Sequence, residues 1–444
     1  MKNTRVFSFR GGVHPPENKF SAAKRIETLP VPAQVAIPVI QHIGAPAKPL
    51  VAKGDMVKRW QKIAEAGGHV SAPIHASISG KVIDVIPQVH PVVGRPVDTI
   101  IIESDGTDES VALKSYADYF RFAPKALIEA VKEAGIVGLG GATFPTHVKL
   151  SPPTGTEIDT VIINGAECEP YLTADDRLMC EHPKEMVEGA KLIMYMLHAA
   201  RVVIVVENNK PEAIKNIQKI VYNEPNIDVV ALPVRYPQGA EKQLIKAVTN
   251  REVPTGGLPL QVGVVVSNVG TAYAINRALK EGEPLTERVV TVSGRGIAQP
   301  KNLLVRIGTP VRELIDYCGG YAADIEHLIM GGPMMGIAQI TDTVPVLKGT
   351  SGILLLTKEE TAVREYVDCF RCGKCVQVCP MGLFPNAISV YVQNDRLEQA
   401  QGFYPMDCVE CGSCAYVCPA HRPLVQQIKW AKAQLNAKKA QKKN

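Results

Sequence analysis

The sequence predicts a multidomain α/β protein, and three observations support this fold class. First, 444 residues are too many for one domain, because a single hydrophobic core seldom grows beyond roughly 250–300 residues. Second, apolar strands alternate with helical segments through the middle of the chain, a pattern typical of a parallel sheet flanked by helices. Third, eight of the eleven cysteines lie between Cys369 and Cys418, which indicates a separate C-terminal module.

The composition is that of an ordinary globular protein. Hydrophobic residues make up 46% of the chain and charged residues 21%, which excludes wholesale disorder. The formal net charge of +5 is small for this length and does not predict nucleic-acid binding. No run approaches the roughly 18 apolar residues of a membrane-spanning helix, and the start lacks the apolar stretch of a signal peptide. We therefore expect a cytosolic chain without a disulfide framework.

Residues 1–118 predict an all-β module. Short apolar runs at 35–37 and 99–102 lie between Gly and Pro breaks. Residues 53–57 and 79–83 are spaced like two halves of one sandwich. The module resembles the barrel-sandwich domains that carry a lipoyl or biotinyl group on a lysine, but the corresponding hairpin, residues 65–69, contains no lysine. We therefore expect a structural role for it.

Two further units are predicted before the cysteines. Residues 119–284 alternate helices and strands, which predicts a Rossmann-like parallel sheet. The helical segments are 126–133 and 183–197, and the strand-like runs are 160–163, 202–206 and 262–266. Residues 285–345, with a strand at 289–292 and a helix at 311–318, predict a compact β-grasp module.

The C-terminal cysteines form two copies of one pattern, Cys-x-x-Cys-x-x-Cys-x-x-x-Cys-Pro, and each cysteine of the second copy lies 39 residues after its counterpart. This is the spacing of bacterial ferredoxins with two [4Fe–4S] clusters, in which the fourth cysteine of each copy binds the other cluster. The predicted ligands of one cluster are Cys369, Cys372, Cys375 and Cys418. Those of the other are Cys408, Cys411, Cys414 and Cys379. We expect this ferredoxin-like domain at residues 360–428.

A pair of structural zinc sites is the alternative explanation, since zinc takes four ligands per site. It does not explain the third cysteine of each tight run or the proline after each fourth cysteine. The spacing therefore favours iron–sulfur clusters and electron transfer. Cys168, Cys180 and Cys318 stand alone, and we expect them to be ordinary buried residues.

The most informative stretch outside the cysteines is residues 135–149 (GIVGLGGATFPTHVK). Closely spaced glycines allow backbone amides to approach a phosphate or a flavin, and Lys149 adds positive charge. The stretch matches neither the dinucleotide-binding G-x-G-x-x-G nor the P-loop. Its composition alone fits a turn as well as a nucleotide site.

This stretch resembles the FMN- and NADH-binding loop (GRGGAGFPTGxK) of the flavoprotein subunit of respiratory complex I. Three further segments match that family in the same order, namely residues 164–170 (NGAECEP), 236–241 (YPQGAE) and 267–271 (SNVGT). Taken whole, with its N-terminal barrel and C-terminal dicluster, the chain is similar to the C subunits of Rnf complexes. Those membrane complexes couple electron exchange between NADH and ferredoxin to ion transport.

The resemblance implies non-covalently bound FMN with NADH as its reductant. The residues that would line FMN are Gly138, Gly140, Gly141, Asn164 and Asn268, and Glu167 and Thr271 are further cofactor-binding candidates of the matching segments. Lys149 would lie near the FMN phosphate or the incoming nucleotide, Phe144 would stack on the NADH adenine, and Glu169 and Glu241 would face the nicotinamide.

Three positions depart from the family pattern. Leu139 replaces an Arg, Ala166 replaces an Asp, and Ala240 replaces a Glu. Contacts with FMN or NADH at these points must therefore differ from those of the family.

The same resemblance implies a peripheral position on the cytoplasmic face of the bacterial cell membrane. The partners would be other Rnf-type membrane subunits, especially an iron–sulfur subunit, with ferredoxin reached indirectly. One alternative is a soluble cobalamin reductase of the microcompartment type, although its glycine-rich loop lies much closer to the N-terminus. The other is a non-catalytic adapter that only relays electrons.

Residues 429–444 are expected to form a solvated basic tail. Leu424, Val425, Ile428 and Leu435 fall at roughly helical intervals, and four lysines follow them. Such an end could instead contact anionic lipid or an acidic neighbouring subunit.

Overall fold

The computed structural model describes residues 6–361 and 365–441. After a first strand, β1 (Ile26–Thr28), seven strands build a barrel-like sandwich. They are β2 (Gln34–Pro38), β3 (Lys48–Pro49), β4 (Met56–Val57), β5 (Lys62–Glu65), β6 (Ile74–His75), β7 (Gly80–Val89) and β8 (Pro96–Ser104). Two antiparallel sheets, ordered β2-β8-β7-β4 and β3-β5-β6, enclose a core that includes Val35, Ile37 and Ile100. The expected all-β module is therefore present.

The second unit is an α/β domain. Its elements are α1 (Pro124–Glu133), α2 (Thr146–Lys149), β9 (Thr160–Gly165), α3 (Ala174–Glu181), α4 (Pro183–Leu197), β10 (Arg201–Glu207), α5 (Pro211–Ile220), β11 (Ile227–Leu232), α6 (Glu241–Thr249), β12 (Val264–Asn268) and α7 (Val269–Lys280). The four strands are parallel and ordered β11-β10-β9-β12. The strand order therefore reverses between β9 and β12, and ligands of such sheets bind in the crevice at that point.

The third unit is a six-stranded mixed sheet with one helix. It contains β13 (Glu287–Ser293), β14 (Lys301–Arg306), α8 (Val311–Tyr317), β15 (His327–Met330), β16 (Ile337–Gln339) and β17 (Gly352–Leu356). The sheet order is β1-β14-β13-β17-β15-β16.

The boundaries of the first and third units differ from those expected. β1 pairs in parallel with β14, so residues 26–28 belong to the third unit and not to the barrel. β17 lies at the centre of the third sheet, beyond the expected end at residue 345. The periodicity of single segments could not predict either feature, because both depend on pairing between distant strands. β1 covers the edge of β14, whose backbone groups would otherwise be unpaired.

The C-terminal unit is helical. Its helices are α9 (Lys374–Gln377), α10 (Pro385–Gln393), α11 (Leu397–Gln401), α12 (Ser413–Tyr416) and α13 (Leu424–Gln441). α13 packs on α10 and α11 through Ile428, Ala431 and Leu435, and Lys438 forms an ion pair with Glu398 at 2.7 Å. The expectation of a solvated tail from residue 429 is therefore wrong as far as Leu435, because an apolar face anchors the helix, whereas residues 436–441 are helical and exposed. Lys442 and Lys443 lie outside the described residues. No helix in the described part of the chain is long and apolar enough to cross a bilayer.

A buried lysine connects three of these units. Lys348 is 1% exposed, and its Nζ donates to the backbone oxygens of Gly135 at 2.7 Å and Pro73 at 3.1 Å. The Lys348 backbone oxygen accepts from Arg288 Nη1 at 2.5 Å. Lys348 thus ties the third unit to the barrel and to the start of the glycine-rich stretch. Burial lowers its pKa from 10.5 to about 7.

This pKa predicts a pH dependence of stability. The unfolded chain keeps Lys348 protonated up to about pH 10.5, whereas the folded chain releases the proton above about pH 7. Between about pH 7 and pH 10.5 the unfolded state binds more protons than the folded state. The free energy of unfolding, measured with urea, should therefore rise with pH over this range. Lys348→Met should flatten that rise, whereas the exposed Lys125→Met should not. Parallel pH curves for Lys348→Met and the wild type would contradict the assignment.

Candidate functional site

Two asparagines mark the crevice between β9 and β12. Asn164 and Asn268 lie opposite each other in register near the carboxyl ends of these parallel strands. Asn268 Nδ2 donates to Asp175 Oδ2 at 2.7 Å, and Asn268 Oδ1 accepts from the backbone of Gly270 as the N-cap of α7. Asn164 Nδ2 donates to the backbone oxygen of Gly239 at 2.9 Å. We call the ends of β9 and β12 at these two asparagines the floor of the crevice. The two side chains bind this floor to the segments around it.

The glycine-rich stretch closes over this floor as a tight loop between α1 and α2. The Gly138 N–H donates to the Phe144 oxygen at 2.9 Å and closes the loop at its base. The Leu139 N–H donates to Thr271 Oγ1 at 2.9 Å, which anchors the loop to the first turn of α7. An added Cβ on Gly140 would lie 3.4 Å from the Cβ of Asn268, so glycine lets the loop lie directly against the floor.

The tip of the loop suits a phosphate or a flavin. Gly140, Gly141 and Ala142 are exposed, and none of their N–H groups donates to another described residue. Gly141 has a φ of +103°, which favours glycine, and an added Cβ would meet nothing within 4 Å. A crevice at the sheet switch point, lined by free amides and next to the N-terminus of α7, fits FMN.

Two carboxylates lie below the loop, and the sequence assigned only Glu167 to the site. Glu167 accepts from the backbone N–H groups of Asp175 at 2.7 Å and Asp176 at 3.1 Å, and so caps α3. Burial, and then the charge of Glu167, raise the pKa of Asp175 to about 7. Asp175 contacts Asn268 directly, but no motif in the sequence singled it out. Its place at the start of a helix after β9 was the only available signal.

Lys149 and Glu241 come together as an ion pair beside β12. Lys149 Nζ lies 2.7 Å from Glu241 Oε1 and donates to the Val266 oxygen at 2.9 Å. Both side chains are about one-third exposed, at 35% and 37%. Phe144 is half-buried at the base of the loop. The structure therefore brings Lys149 and Glu241 close to each other, and both are accessible to a ligand.

Glu169 lies at the junction with the cysteine domain. Its Oε2 accepts from the Met334 N–H at 3.0 Å, and its Oε1 lies 3.5 Å from the Tyr236 hydroxyl. An added Cβ on Gly332 would clash with Glu169 Oε2, so only glycine allows this approach. Burial raises the pKa of Glu169 to about 7. Glu169 therefore fastens the loop around Met334 to the α/β domain.

The second cysteine loop packs against this junction. Val13, Tyr236 and Cys411 form a buried apolar cluster, with Cys168 and Met334 packed at its side. Val13 and Tyr236 exchange backbone hydrogen bonds of 2.8 and 2.9 Å. An added Cβ on Gly412 would meet the Met334 oxygen at 2.9 Å. The loop that starts at Cys408 thus lies against the domain that forms the crevice.

The two cysteine loops have the same backbone. Arg371 and Glu410, 39 residues apart, both have positive φ (57° and 58°), as do Gly373 and Gly412 (77° and 82°). A short helix follows each glycine, α9 in the first copy and α12 in the second. The sequence repeat is therefore also a structural repeat.

The eight cysteine sulfurs form two groups of four, and each group combines cysteines from both copies of the repeat. Burial raises the pKa of the Cys375 thiol, and its charged neighbours are Cys418, Cys369 and Cys372. Burial likewise raises the pKa of Cys414, whose neighbours are Cys408, Cys411 and Cys379. One cavity is lined by Cys369, Cys372, Cys375 and Cys418. Each group of four contains three cysteines of one copy and the fourth of the other, which is the cross-ligated arrangement.

The make-up of these groups suits a cluster better than a single ion. Three thiolates of each group come from one tight Cys-x-x-Cys-x-x-Cys run, and the fourth comes from the other copy. A zinc ion binds sulfur at about 2.3 Å and draws its four ligands together. Four thiolates around a larger shared centre fit a [4Fe–4S] cluster.

The fold and the site together define an iron–sulfur flavoprotein, and comparison with known proteins agrees. Family models match the Nuo51 FMN-binding domain at residues 131–277 and a 4Fe-4S dicluster domain at 361–424. They also match the RnfC barrel sandwich hybrid domain at 7–107 and an SLBB domain at 289–338. These matches confirm the expected fold class, the FMN and the two clusters.

The chain belongs to the family of C subunits of ion-translocating ferredoxin:NAD(+) oxidoreductase complexes. The C subunit of the proton-translocating complex of Clostridium ljungdahlii is 49% identical over 97% of this chain and 94% of its own. The C subunit of the Na(+)-translocating complex of Acetobacterium woodii is 46% identical over 98% of this chain and 99% of its own. An NAD+-reducing [NiFe]-hydrogenase chain, 17% identical with a TM-score of 0.50, covers 72% of this chain and is itself covered to 65%, and it shares the fold.

The grouping of cysteines predicts how single substitutions act. Cys379→Ala should perturb chiefly the cluster held by Cys408, Cys411 and Cys414. Cys375→Ala, four residues away, should instead perturb the cluster that includes Cys418. Iron content and the electron paramagnetic resonance spectrum of each reduced variant would distinguish them. Loss of the same cluster in both variants would rule out cross-ligation.

Proposed function

We propose that this chain is the NADH-oxidising electron-input subunit of a membrane-bound, ion-translocating complex. When bound, FMN would supply the conversion of a two-electron hydride transfer from NADH into single-electron transfers. The two groups of cysteines would hold the clusters that pass single electrons on to partner subunits. The observation that carries this proposal is the packing of the Cys411 loop against Tyr236 and Met334, which supports a cluster beside the crevice domain.

Within this function, the loop and the two asparagines hold FMN. The free amides of Gly140 and Gly141 would donate hydrogen bonds to the cofactor, and Gly138 closes the loop at its base. The side chains of Asn164, Asn268 and Thr271 hold the surrounding segments of the crevice in place. Glu167 supports the floor by capping α3. Leu139 adds an apolar side chain where the complex I family has an Arg, so the charge on FMN must be balanced elsewhere.

The NADH side of the site is assigned to residues at its mouth. Phe144 would stack on the adenine, and the accessible pair of Lys149 and Glu241 would contact the nucleotide. Glu169 is the least accessible of these residues, since it is committed to Met334 and Tyr236. Its contribution is therefore to hold the junction below the nicotinamide. Hydride transfer needs no general acid or base, and none is assigned.

The packing of the cysteine loops supports an order for the two clusters. The group of Cys408, Cys411, Cys414 and Cys379 lies on the side of the α/β domain and is called the proximal group. The group of Cys369, Cys372, Cys375 and Cys418 is the distal group, and Cys372 in it is exposed. Electrons would therefore pass through the proximal cluster first and leave by the distal one.

Membership of the family supports the proposed partners and location. The relatives are named as subunits of multi-subunit, ion-translocating complexes that act on ferredoxin and NAD(+). We place this chain at the cytoplasmic face of the cell membrane, where NADH is available, bound to redox subunits of such a complex, especially one with iron–sulfur clusters.

An anaerobic titration with NADH tests this function. The wild-type chain should contain FMN, released by heat with the mass of free FMN, and NADH should bleach both the flavin and the clusters. Cys408→Ala should keep flavin reduction but leave the distal cluster oxidised. Cys369→Ala, the matched variant in the other copy, should still show a reduced proximal cluster. FAD, a covalent flavin, or clusters that NADH does not reduce in the wild type would contradict the proposal.

A further inference from the structure

We propose that the first cysteine loop presents a docking face for a redox subunit of the same complex, and that this partner covers it as the α/β domain covers the second loop. The face, called the distal face, consists of Tyr366, Val367, Phe370, Arg371 and Gly373. The proposal rests on the proposed function, because it takes the distal cluster as the point where electrons leave.

The second cysteine loop has the same backbone as the first but is covered by other parts of the chain, so it shows how the distal face could be covered. In the second loop, Val409 packs beside Tyr236 and Cys411, and the Met334 oxygen closes over Gly412. Cys411 is consequently only 7% exposed. A neighbouring segment of the chain therefore covers the second loop in two places. The Met334 segment lies over Gly412, and apolar side chains pack against Val409, the residue after Cys408.

The equivalent positions of the first loop have no such cover among the described residues. Phe370, the counterpart of Val409, is 60% exposed, and Tyr366 and Val367 are 55% and 56% exposed. An added Cβ on Gly373, the counterpart of Gly412, would meet nothing within 4 Å. Cys372 is exposed, whereas its counterpart Cys411 is buried. An apolar patch with two aromatic side chains therefore surrounds an accessible cluster ligand.

Charge indicates the chemistry of the partner. In the second loop, Glu410 forms an ion pair with Lys432 of α13. Its counterpart Arg371 is exposed and has no ion pair within the described part of the chain. Asp368 and Glu365 nearby are exposed as well, so the patch is not broadly basic. The partner should therefore match Arg371 with one carboxylate and otherwise present an apolar loop.

These features fit a small electron-transfer contact between subunits of one complex. Such interfaces bury less than about 1,200 Å² in total, and aromatic and Arg side chains dominate their energetics. Loss of Phe370 and Arg371 together should consequently abolish most of the affinity for the partner.

A paired-variant experiment in the assembled complex tests the docking face. Phe370→Asp with Arg371→Glu is compared with Tyr222→Asp with Lys219→Glu, which makes the same kind of chemical change at exposed sites far along the chain. A tag on this chain then recovers the membrane subunits in mild detergent. We expect at least a tenfold loss of the redox subunit for the first pair and no change for the control. Equal recovery by both pairs, with clusters intact, would overturn the proposal.

A cross-linking measurement covers the case in which the first pair loses its clusters. Tyr366→p-benzoylphenylalanine leaves every cysteine and both glycines in place. Illumination of the complex should give an adduct with a subunit that contains a redox cofactor, identified by mass spectrometry. An adduct only with a second copy of this chain, only with lipid, or none would overturn the docking proposal. The isolated variant's reduction by NADH is scored separately, because its failure would count against the proposed function and not against docking.

Discussion

The packing of the second cysteine loop on the α/β domain is the contact on which the arrangement of the redox sites depends. Three close approaches hold this region together: Gly412 of the second loop meets the Met334 oxygen, Gly332 beside Met334 meets Glu169 of the α/β domain, and Gly11 meets the backbone of Val378 in the first cysteine run. A side chain at any of these positions would push the domains apart. The two cysteine loops have the same backbone, and the second of them is the one that packs against Tyr236 and Met334, whereas Cys372 of the first is exposed on the side that we propose faces a partner.

One short segment links the crevice to that contact. Asn164 holds the floor, Glu167 caps α3, and Glu169 reaches Met334 and Tyr236, all within six residues. The segment is fixed from below by Lys19, whose Nζ donates to the backbone oxygens of Glu167, Glu169 and Leu172. Burial lowers the pKa of Lys19, so the surrounding carbonyls must compensate for the lost solvation. A rigid strand-to-helix connection therefore sets the position of the crevice relative to the proximal cluster.

Local patterns predicted the parts of this protein better than their assembly. The 39-residue repeat predicted the cysteine groups, and the alternation of helices and strands predicted β9, β10 and α4 closely. The pairing of β1 with β14 was missed because it joins strands more than 250 residues apart and leaves no local signal. Lys348 and Asp175 were missed because burial of a charge is decided by tertiary packing. The roles of individual FMN and NADH residues stay predictions, since they rest on family resemblance.

An iron-anomalous map of the anaerobically purified protein with FMN bound would test the order of the clusters most directly. The account predicts two cubanes in a line from the flavin, with the one bound by Cys408, Cys411, Cys414 and Cys379 between the flavin and the other. A map in which the cubane bound by Cys369, Cys372 and Cys375 lies nearer the flavin would contradict it.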